Sequence, residues 1–309
     1  MDVVGLGTFA MDVLKKVNAL PKEDDFCIIE DTKYVPGGSG TNVIVQLARL
    51  GAECGYIGKV ADDEVGKGIL NSLIEEKVDV GKMLVSEGGI SLHTEIVIDG
   101  EGNKFIMLNM GDAALSLRAS EIDIHYLAEA EVFYTDLFPK EPAIAALKAA
   151  KQAGKKTVFN MQTGLETMES LGIAKEDILE VLQYVDIFAP CRSGLYAITE
   201  TTDLIECREF LRNYCNGILL FTLGKKGAVA FDEQNAIYQV QSVNVCAVDT
   251  TGAGDSFIGG FIYSYLLQRE SLNTAMEFAT ACAAYTCTGL GARYSPTLDQ
   301  VKAFIRENR

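Results

Sequence analysis

Histidine is nearly absent from this sequence: two occur in 309 residues, and the eight cysteines stand singly at 27, 54, 191, 207, 215, 246, 282 and 287, with no Cys-x-x-Cys pair. A zinc centre therefore lacks ligands at the usual spacing. Positive charge is scarce as well. Lys and Arg total 27 against 43 Asp and Glu, a formal net charge of −16. An acidic surface repels DNA, RNA and anionic bilayers, so no nucleic acid and no membrane is expected as the main partner. A local basic site for a nucleotide phosphate is compatible with that balance. No apolar run approaches the ~18 residues needed to span a bilayer. The opening Met1-Asp2-Val3-Val4 lacks the basic region of a secretory leader. The expected location is cytoplasmic, with thiols such as that in Ala281-Cys282-Ala283-Ala284 reduced and packed as small hydrophobes.

What the chain does have is apolar bulk, 48% of its residues, enough to bury a large core. Short apolar runs at 3–7, 54–57, 132–135, 157–160, 187–189 and 218–222 read as strands. They alternate with helical patterns at 42–50, 66–77, 141–153, 176–183 and 204–215. That rhythm predicts an α/β fold with a mostly parallel sheet covered by helices on both faces. Without a Pro-rich linker or repeat, residues 1–309 read as one domain. Two stretches, 12–35 and 91–109, break the rhythm, and the second carries a hairpin turn in Asp99-Gly-Glu-Gly-Asn103. They are expected to form a small β-sheet lid beside the mouth of the larger sheet, excluding water from the chemistry. Its outer face is a candidate homodimer contact.

The chemistry concentrates in Val248-Asp-Thr-Thr-Gly-Ala-Gly-Asp255-Ser-Phe257, which runs into an apolar helix pattern. Gly252, Ala253 and Gly254 are small enough for backbone to approach a ligand. A helix starting there would aim free N–H groups and its positive end at an anion. Asp255, in the first helical turn, can take a proton from an attacking hydroxyl. A plain first-turn acid is the simpler alternative. Upstream, Gly5-Leu-Gly7-Thr-Phe-Ala10 fits the dinucleotide pattern G-x-G-x-x-A, but the next residues, Met11-Asp12-Val13-Leu14, read as extended rather than helical, which counts against a dehydrogenase. Asp12 is then a carboxylate at the exit of the first strand, suited to vicinal hydroxyls. Val35-Pro-Gly-Gly38-Ser-Gly-Thr-Asn42 opens the next helix, and Asn42 offers a donor and an acceptor to a hydroxyl. Thr222-Leu-Gly224-Lys-Lys-Gly227 forms a basic glycine turn between two strands.

In order along the chain, these motifs resemble the ribokinase-like, or PfkB, family of carbohydrate kinases, across nearly the full length. The resemblance implies a three-layer α/β sandwich with a β lid and an ATP-dependent kinase acting on a sugar or nucleoside. It implies Asp255 as general base, Gly252, Ala253 and Gly254 as anion hole, and Asp12, Gly38 and Asn42 as the substrate grip. It further implies Thr222, Gly224 and Gly227 at the ATP, and Mg²⁺ travelling with the nucleotide. Asp249 and Thr251, with the loop 289–295, become candidates for a monovalent cation such as K⁺. The chain departs from the family at three places. Cys191-Arg-Ser-Gly194 stands where Asn-x-x-Glu is usual, Asn160-x-Gln162 replaces Asp-x-Asn, and Ile44 occupies a position that is usually small. The missing carboxylate motivates a second reading, a sugar- or nucleoside-binding protein with weakened turnover. By alternation along the hairpin, His93, Glu95, Met107 and Asn109 are expected in the substrate pocket. Of the lid's lysines only Lys33 and Lys104 are taken as pocket candidates, which favours a neutral substrate over an acid one.

Overall fold

The computed structural model describes residues 1–101 and 103–308. Gly102, in the expected hairpin turn, and Arg309 lie outside the described residues.

Two sheets are present among the described residues. The larger is built from β1 (Val3–Leu6), β4 (Cys54–Ala61), β5 (Asp79–Ser86), β8 (Val132–Thr135), β9 (Lys156–Met161), β10 (Ile187–Pro190), β11 (Ile218–Thr222), β12 (Ala228–Phe231) and β13 (Ile237–Val240). Its order is β13-β12-β11-β10-β9-β8-β1-β4-β5, and only the β11–β12 and β12–β13 pairings are antiparallel. The smaller sheet has the order β3-β2-β6-β7, from β2 (Ala10–Val17), β3 (Ile29–Gly37), β6 (His93–Ile98) and β7 (Lys104–Asn109). The expected strands are all present. β4 and β9 run longer than their apolar centres suggest, and the two edge strands, the largely unburied β5 and the short β13, are additions.

Successive residues on the central strands point to opposite faces, and each face meets a separate core. Val3, Val132, Tyr134, Val158, Ile187 and Leu220 join one core. Phe133, Phe159, Phe188, Leu219 and Phe221 join the other. The helices Ser39–Arg49, Glu64–Glu75, Ala253–Phe261 and Leu272–Thr286 cover the first face, and Lys140–Gln152, Lys175–Val181, Arg192–Thr199 and Leu204–Leu211 the second. The result is a three-layer sandwich. No helix among the described residues is long and apolar enough to cross a membrane.

The glycines that looked like a dinucleotide fingerprint have a packing role instead. After Gly7 the chain turns directly into strand β2 and no helix starts there. A Cβ at Gly5 would lie 2.6 Å from the Ile44 side chain, and one at Gly7 would lie 2.6 Å from Asp136 Oδ1. The missing side chains let the Ser39 helix and the Asp136 carboxylate approach β1. The dehydrogenase reading fails on this geometry.

The Ser39 and Ala253 helices are locked together by a buried glutamine. Gln46 accepts a hydrogen bond from Ser256 Oγ at 2.7 Å and donates to the Pro296 carbonyl at 3.0 Å. Its stem packs against Gly259, where a Cβ would sit 2.7 Å from Gln46 Cγ. Replacing Gln46 by Leu strands a buried hydroxyl and a carbonyl. Gln46→Leu is expected to cost ~2–4 kcal/mol in urea unfolding, whereas exposed Gln234→Leu should fall within about 0.5 kcal/mol of wild type.

Candidate active site

Parallel strands feeding helices leave their polar turns at the carboxyl edge of the sheet, where open α/β sheets bind ligands. Here that edge gathers Thr8 after β1, Asp136 after β8, Gln162 after β9, Cys191 after β10 and Gly224 after β11.

At the centre stands Asp255, in the first turn of the helix Ala253–Phe261 and 7% exposed. Ser39 Oγ donates to its Oδ1 at 2.6 Å, and Asn42 Nδ2 donates to its Oδ2 at 2.8 Å. Burial raises its pKa from 3.8 to about 6; the Ser39 and Asn42 hydrogen bonds oppose the rise and the charge of Asp136 adds to it. A simple first-turn acid would face solvent; this one is enclosed. The helix N-cap, Gly252, sits at φ 78° and offers no side-chain cap. Ala253 N donates to the Thr250 carbonyl at 3.3 Å, which leaves the N–H groups of Gly252 and Gly254 at the helix start beside the carboxylate. Gly252 is required twice over, since a Cβ there would also lie 2.1 Å from the Ala292 carbonyl oxygen.

The Gly38–Asn42 segment meets this helix at its start. Gly38 is the N-cap of the Ser39 helix and packs on Phe9, where a Cβ would come within 2.4 Å of the Phe9 Cα. Thr41 N donates to the Thr8 carbonyl at 3.1 Å, and Thr8 N donates to the two Asp136 carboxylate oxygens at 3.0 and 2.9 Å. Asp136 is 5% exposed and burial lifts it to about 6. It gave no signal in the sequence because nothing around it forms a motif.

Arg293 was also missed. The loop 289–295 drew attention only as a cation candidate, yet its arginine is directed inward. Arg293 Nε donates to Asn42 Oδ1 at 3.1 Å, and Nη2 donates to the Gly37 carbonyl at 3.3 Å and to Thr41 Oγ1 at 3.1 Å. Nη1 donates to Ser72 Oγ at 3.3 Å. Burial lowers its pKa to about 10. Asn42 thus has one of its oxygen's two acceptor positions occupied by a charged donor and one Nδ2 hydrogen left beyond Asp255.

Asp12, on β2, accepts a hydrogen bond from Thr94 Oγ1 on β6 and lies against Gly37. The strand register puts Asp12, Thr94, Leu108 and Val35 on one face of the small sheet. His93, Glu95, Met107 and Asn109 fall on the opposite face, so the pocket expected from alternation was assigned one residue out of phase. Glu95 is engaged by Lys15 at 2.8 Å. Lys104 shares the Asp12 face, and its charge adds slightly to the hydrogen bonds from Thr251 and Gly291 that lower the pKa of Asp249.

Asp249 Oδ1 accepts from Thr251 N at 2.9 Å and Thr251 Oγ1 at 2.7 Å, and Oδ2 accepts from Gly291 N at 3.0 Å. These bonds hold it ionised, below the usual carboxylate pKa, and join the two loops that carry the cation candidates. Thr222 ends β11, and Gly224 and Gly227 flank the 3₁₀ turn that leads into β12. Between this turn and Asp255 lies the departure at 191–194. Cys191 caps the helix Arg192–Thr199, its sulfur accepting from Gly194 N at 3.4 Å. Arg192 is exposed there. Gln162 sits beside the anion-hole loop, with its Oε1 3.3 Å from where a Gly254 Cβ would be. Asn160 turns away and donates to the Tyr134 hydroxyl at 3.2 Å.

A pfkB family carbohydrate kinase model matches residues 2–298. A ribokinase from Lactococcus lactis is 27% identical over 98% of this chain and 96% of its own length. Among solved structures, a Thermotoga maritima ribokinase superposes with a TM-score of 0.83 at 23% identity, covering 99% of each chain. An Escherichia coli structure in complex with ATP and Mg²⁺ superposes with a TM-score of 0.85 at 22% identity, again covering 99% of each. With the three-layer sheet, the small second sheet and the carboxyl-edge cluster in place, the chain belongs to the PfkB family of carbohydrate kinases.

Proposed function

We propose that this protein transfers the γ-phosphoryl group of ATP to a hydroxymethyl group of a neutral sugar or nucleoside. One observation carries the reading: a dry carboxylate, Asp255, shares its helical turn with the N–H groups of Gly252 and Gly254, while that of Ala253 donates to the Thr250 carbonyl at 3.3 Å. A hydroxyl placed against Asp255 loses its proton to the carboxylate as it attacks phosphorus. The neighbouring N–H groups receive the charge on the transferred group. Phosphoryl transfer needs little more than this alignment and the exclusion of water.

Asp12, Gly38 and the remaining N–H of Asn42 hold the acceptor's other hydroxyls. Arg293 is not free to receive an acid substrate, since its donors are occupied by Asn42, Gly37, Thr41 and Ser72. Thr222, Gly224 and Gly227 border the nucleotide. Among the described residues no group of three His, Cys, Asp or Glu could hold a metal ion, so Mg²⁺ fits here as an ion carried on the ATP phosphates, where it would neutralise charge. Asp249, ionised and set between two loops rich in backbone carbonyls, suits a monovalent cation such as K⁺, with Thr251 beside it. The cytoplasm, where ATP is abundant, is the compartment this chemistry implies.

A second reading, a binding protein with weakened turnover, draws on Cys191–Gly194, where a thiol caps the helix and no carboxylate is present. Retention of every element around Asp255 favours the kinase. ADP release from Mg-ATP, measured across a panel of sugars and nucleosides with and without K⁺, separates the two: acceptor-dependent ADP supports the kinase, and silence with ligand-raised Tm supports the binder. Asp255→Asn should lower kcat by about 10²–10⁴-fold. Because the base acts when ionised, kcat/KM should fall as pH drops through about 6.

The same burial has a stability consequence of definite sign. With a folded pKa near 6 against 3.8 unfolded, Asp255 binds its proton more tightly in the folded state, so stability falls as pH rises between those values. At pH 7–8, Asp255→Asn should therefore be the more stable protein, by up to ~3 kcal/mol. That gain should vanish toward pH 4 in matched urea titrations. A variant no more stable than wild type at pH 8 contradicts the burial penalty.

The lid completes the proposal. Tyr34, Phe105 and Met107 lie on its face away from Asp12 and are 56%, 54% and 51% exposed. We assign this apolar face to a second copy of the chain. Sedimentation should report a dimer for wild type and a monomer for Phe105→Glu/Met107→Glu.

A further inference from the structure

Asparagine amides are nearly symmetric in shape, so an asparagine beside a carboxylate can present either end. With Nδ2 forward, Asn42 donates to Asp255; flipped, its carbonyl would face the carboxylate oxygen, lone pair against lone pair. Something must hold the productive orientation in a site that is otherwise closed to water. The groups facing Asp255 are few. Ser39 and Asn42 come from the Ser39 helix, Tyr134 and Asp136 from β8 and its exit, and Arg293 from the C-terminal loop. Of these only Arg293 touches the oxygen end of Asn42, and it does so with a charged donor.

We propose that Arg293 is a positioning residue for phosphoryl transfer: it pins the carboxamide of Asn42 so that Nδ2 points at Asp255. The inference rests on the kinase reading for its kinetic expression, though the pinning itself is geometric. Arg293 is well suited to the task because its own fork is fixed from three sides. Gly37 ends β3, Thr41 lies on the Ser39 helix and Ser72 on the Glu64–Glu75 helix. Its backbone is fixed independently: Arg49 Nη1 donates to the Arg293 carbonyl and, at 2.9 Å, to that of Ser295, while the Arg49 guanidinium pairs with Glu76. The loop is thus anchored by one arginine and spends the other on the active site. Lysine could not do the same, having one nitrogen where the guanidinium offers three in a plane.

A double-mutant cycle tests this. Arg293→Met should lower kcat by roughly 10²-fold, the scale of a slight misplacement of a reacting group. The KM for ATP should move less than about threefold, because no nucleotide contact is removed, whereas that for the acceptor should rise, since a flipped Asn42 also withdraws the N–H offered to the acceptor. Asn42→Leu should show a comparable loss, and Arg293→Met added to Asn42→Leu should change kcat by less than about threefold further. Ser72→Ala, which removes one anchor of the arginine without touching Asn42, should keep kcat near wild type. Losses that multiply in the double variant, or an equal loss in Ser72→Ala, overturn the proposal and leave Arg293 a structural brace. Should Arg293→Met fail to fold, Arg293→Lys replaces it in the same cycle. A wild type that releases no ADP with any acceptor defeats the kinase reading alone. The positioning is then read directly from the Asn42 side-chain amide in ¹⁵N spectra, identified by its disappearance in Asn42→Asp. Its resonances should shift and exchange faster with water in Arg293→Met and not in Ser72→Ala; unchanged resonances in Arg293→Met overturn the proposal.

Discussion

Asp255 has to be dry and charged together, and most of the structure around it answers to that pair of demands. In the proposed reaction, water near this carboxylate would compete with the acceptor for the phosphoryl group, and the carboxylate is enclosed. Enclosure favours its protonated form, which cannot act as a base. The fold answers with donors rather than solvent: Ser39 and Asn42 on the carboxylate oxygens, and the charge of Arg293 behind Asn42. The outcome is a carboxylate poised near pH 6 and ionised at neutral pH, as the proposed role of base requires. Asp136 pulls the other way, and its presence is explained by a different demand. Its two oxygens hold the amide of Thr8, whose carbonyl in turn receives Thr41 and the Tyr56 hydroxyl. Without that carboxylate the loop after β1 would have no fixed path over the Ser39 helix.

Bringing these groups within hydrogen-bond reach requires helices closer to the sheet, and to each other, than ordinary side chains allow. Gly5 gives way to Ile44, and Gly259 gives way to Gln46. The large Ile44 is thereby accounted for. It is fully buried, and the volume that it adds is the volume that Gly5 leaves out. Gln46 then converts the close approach into a specific one, since a glutamine bonded to Ser256 and Pro296 admits a single register between the two helices that carry Asn42 and Asp255. The site is held by the contact between helices, and the two cores on either side of the sheet hold the helices.

Much of this was legible in the chain because it follows from local rules. Apolar runs of strand length alternating with amphipathic stretches gave the layered sheet, and small residues before an acid marked the start of the Ala253 helix. The face of the lid was read wrongly for an equally physical reason. Strand alternation fixes which residues share a face but not which face looks inward, and that is set by the register with β2, where Asp12 pairs with Thr94 and not with His93. Asp136 and Arg293 were illegible because their partners lie far away in sequence: 128 residues separate Asp136 from Thr8, and 251 separate Arg293 from Asn42. An isolated acid after a strand, or an arginine in a glycine loop, carries no pattern until the fold supplies its neighbour. Even Asn42, singled out to meet a hydroxyl, looked more versatile than it is, since sequence cannot tell that its oxygen already accepts from Arg293.

The segment 191–194 shows where the family pattern and this chain part. A helix start at the carboxyl edge needs a cap, and Cys191 supplies one with a weakly accepting sulfur, reinforced by contact with Ser193 Oγ at 3.3 Å. The helix therefore begins where an asparagine-capped one would, and the backbone around the site keeps its course. What changes is charge. Arg192 is exposed, and no ion pair or hydrogen bond engages its side chain among the described residues. In a protein of net charge −16, an arginine without a carboxylate partner, at the rim that also holds Gln162 and Gly254, is a local positive site suited to an anion rather than a metal. Loss of an acid and gain of a cation thus act in the same direction. For the proposed kinase they would shift the holding of a triphosphate from metal-bound water toward direct charge contact, at a segment separate from Asp255 and Arg293.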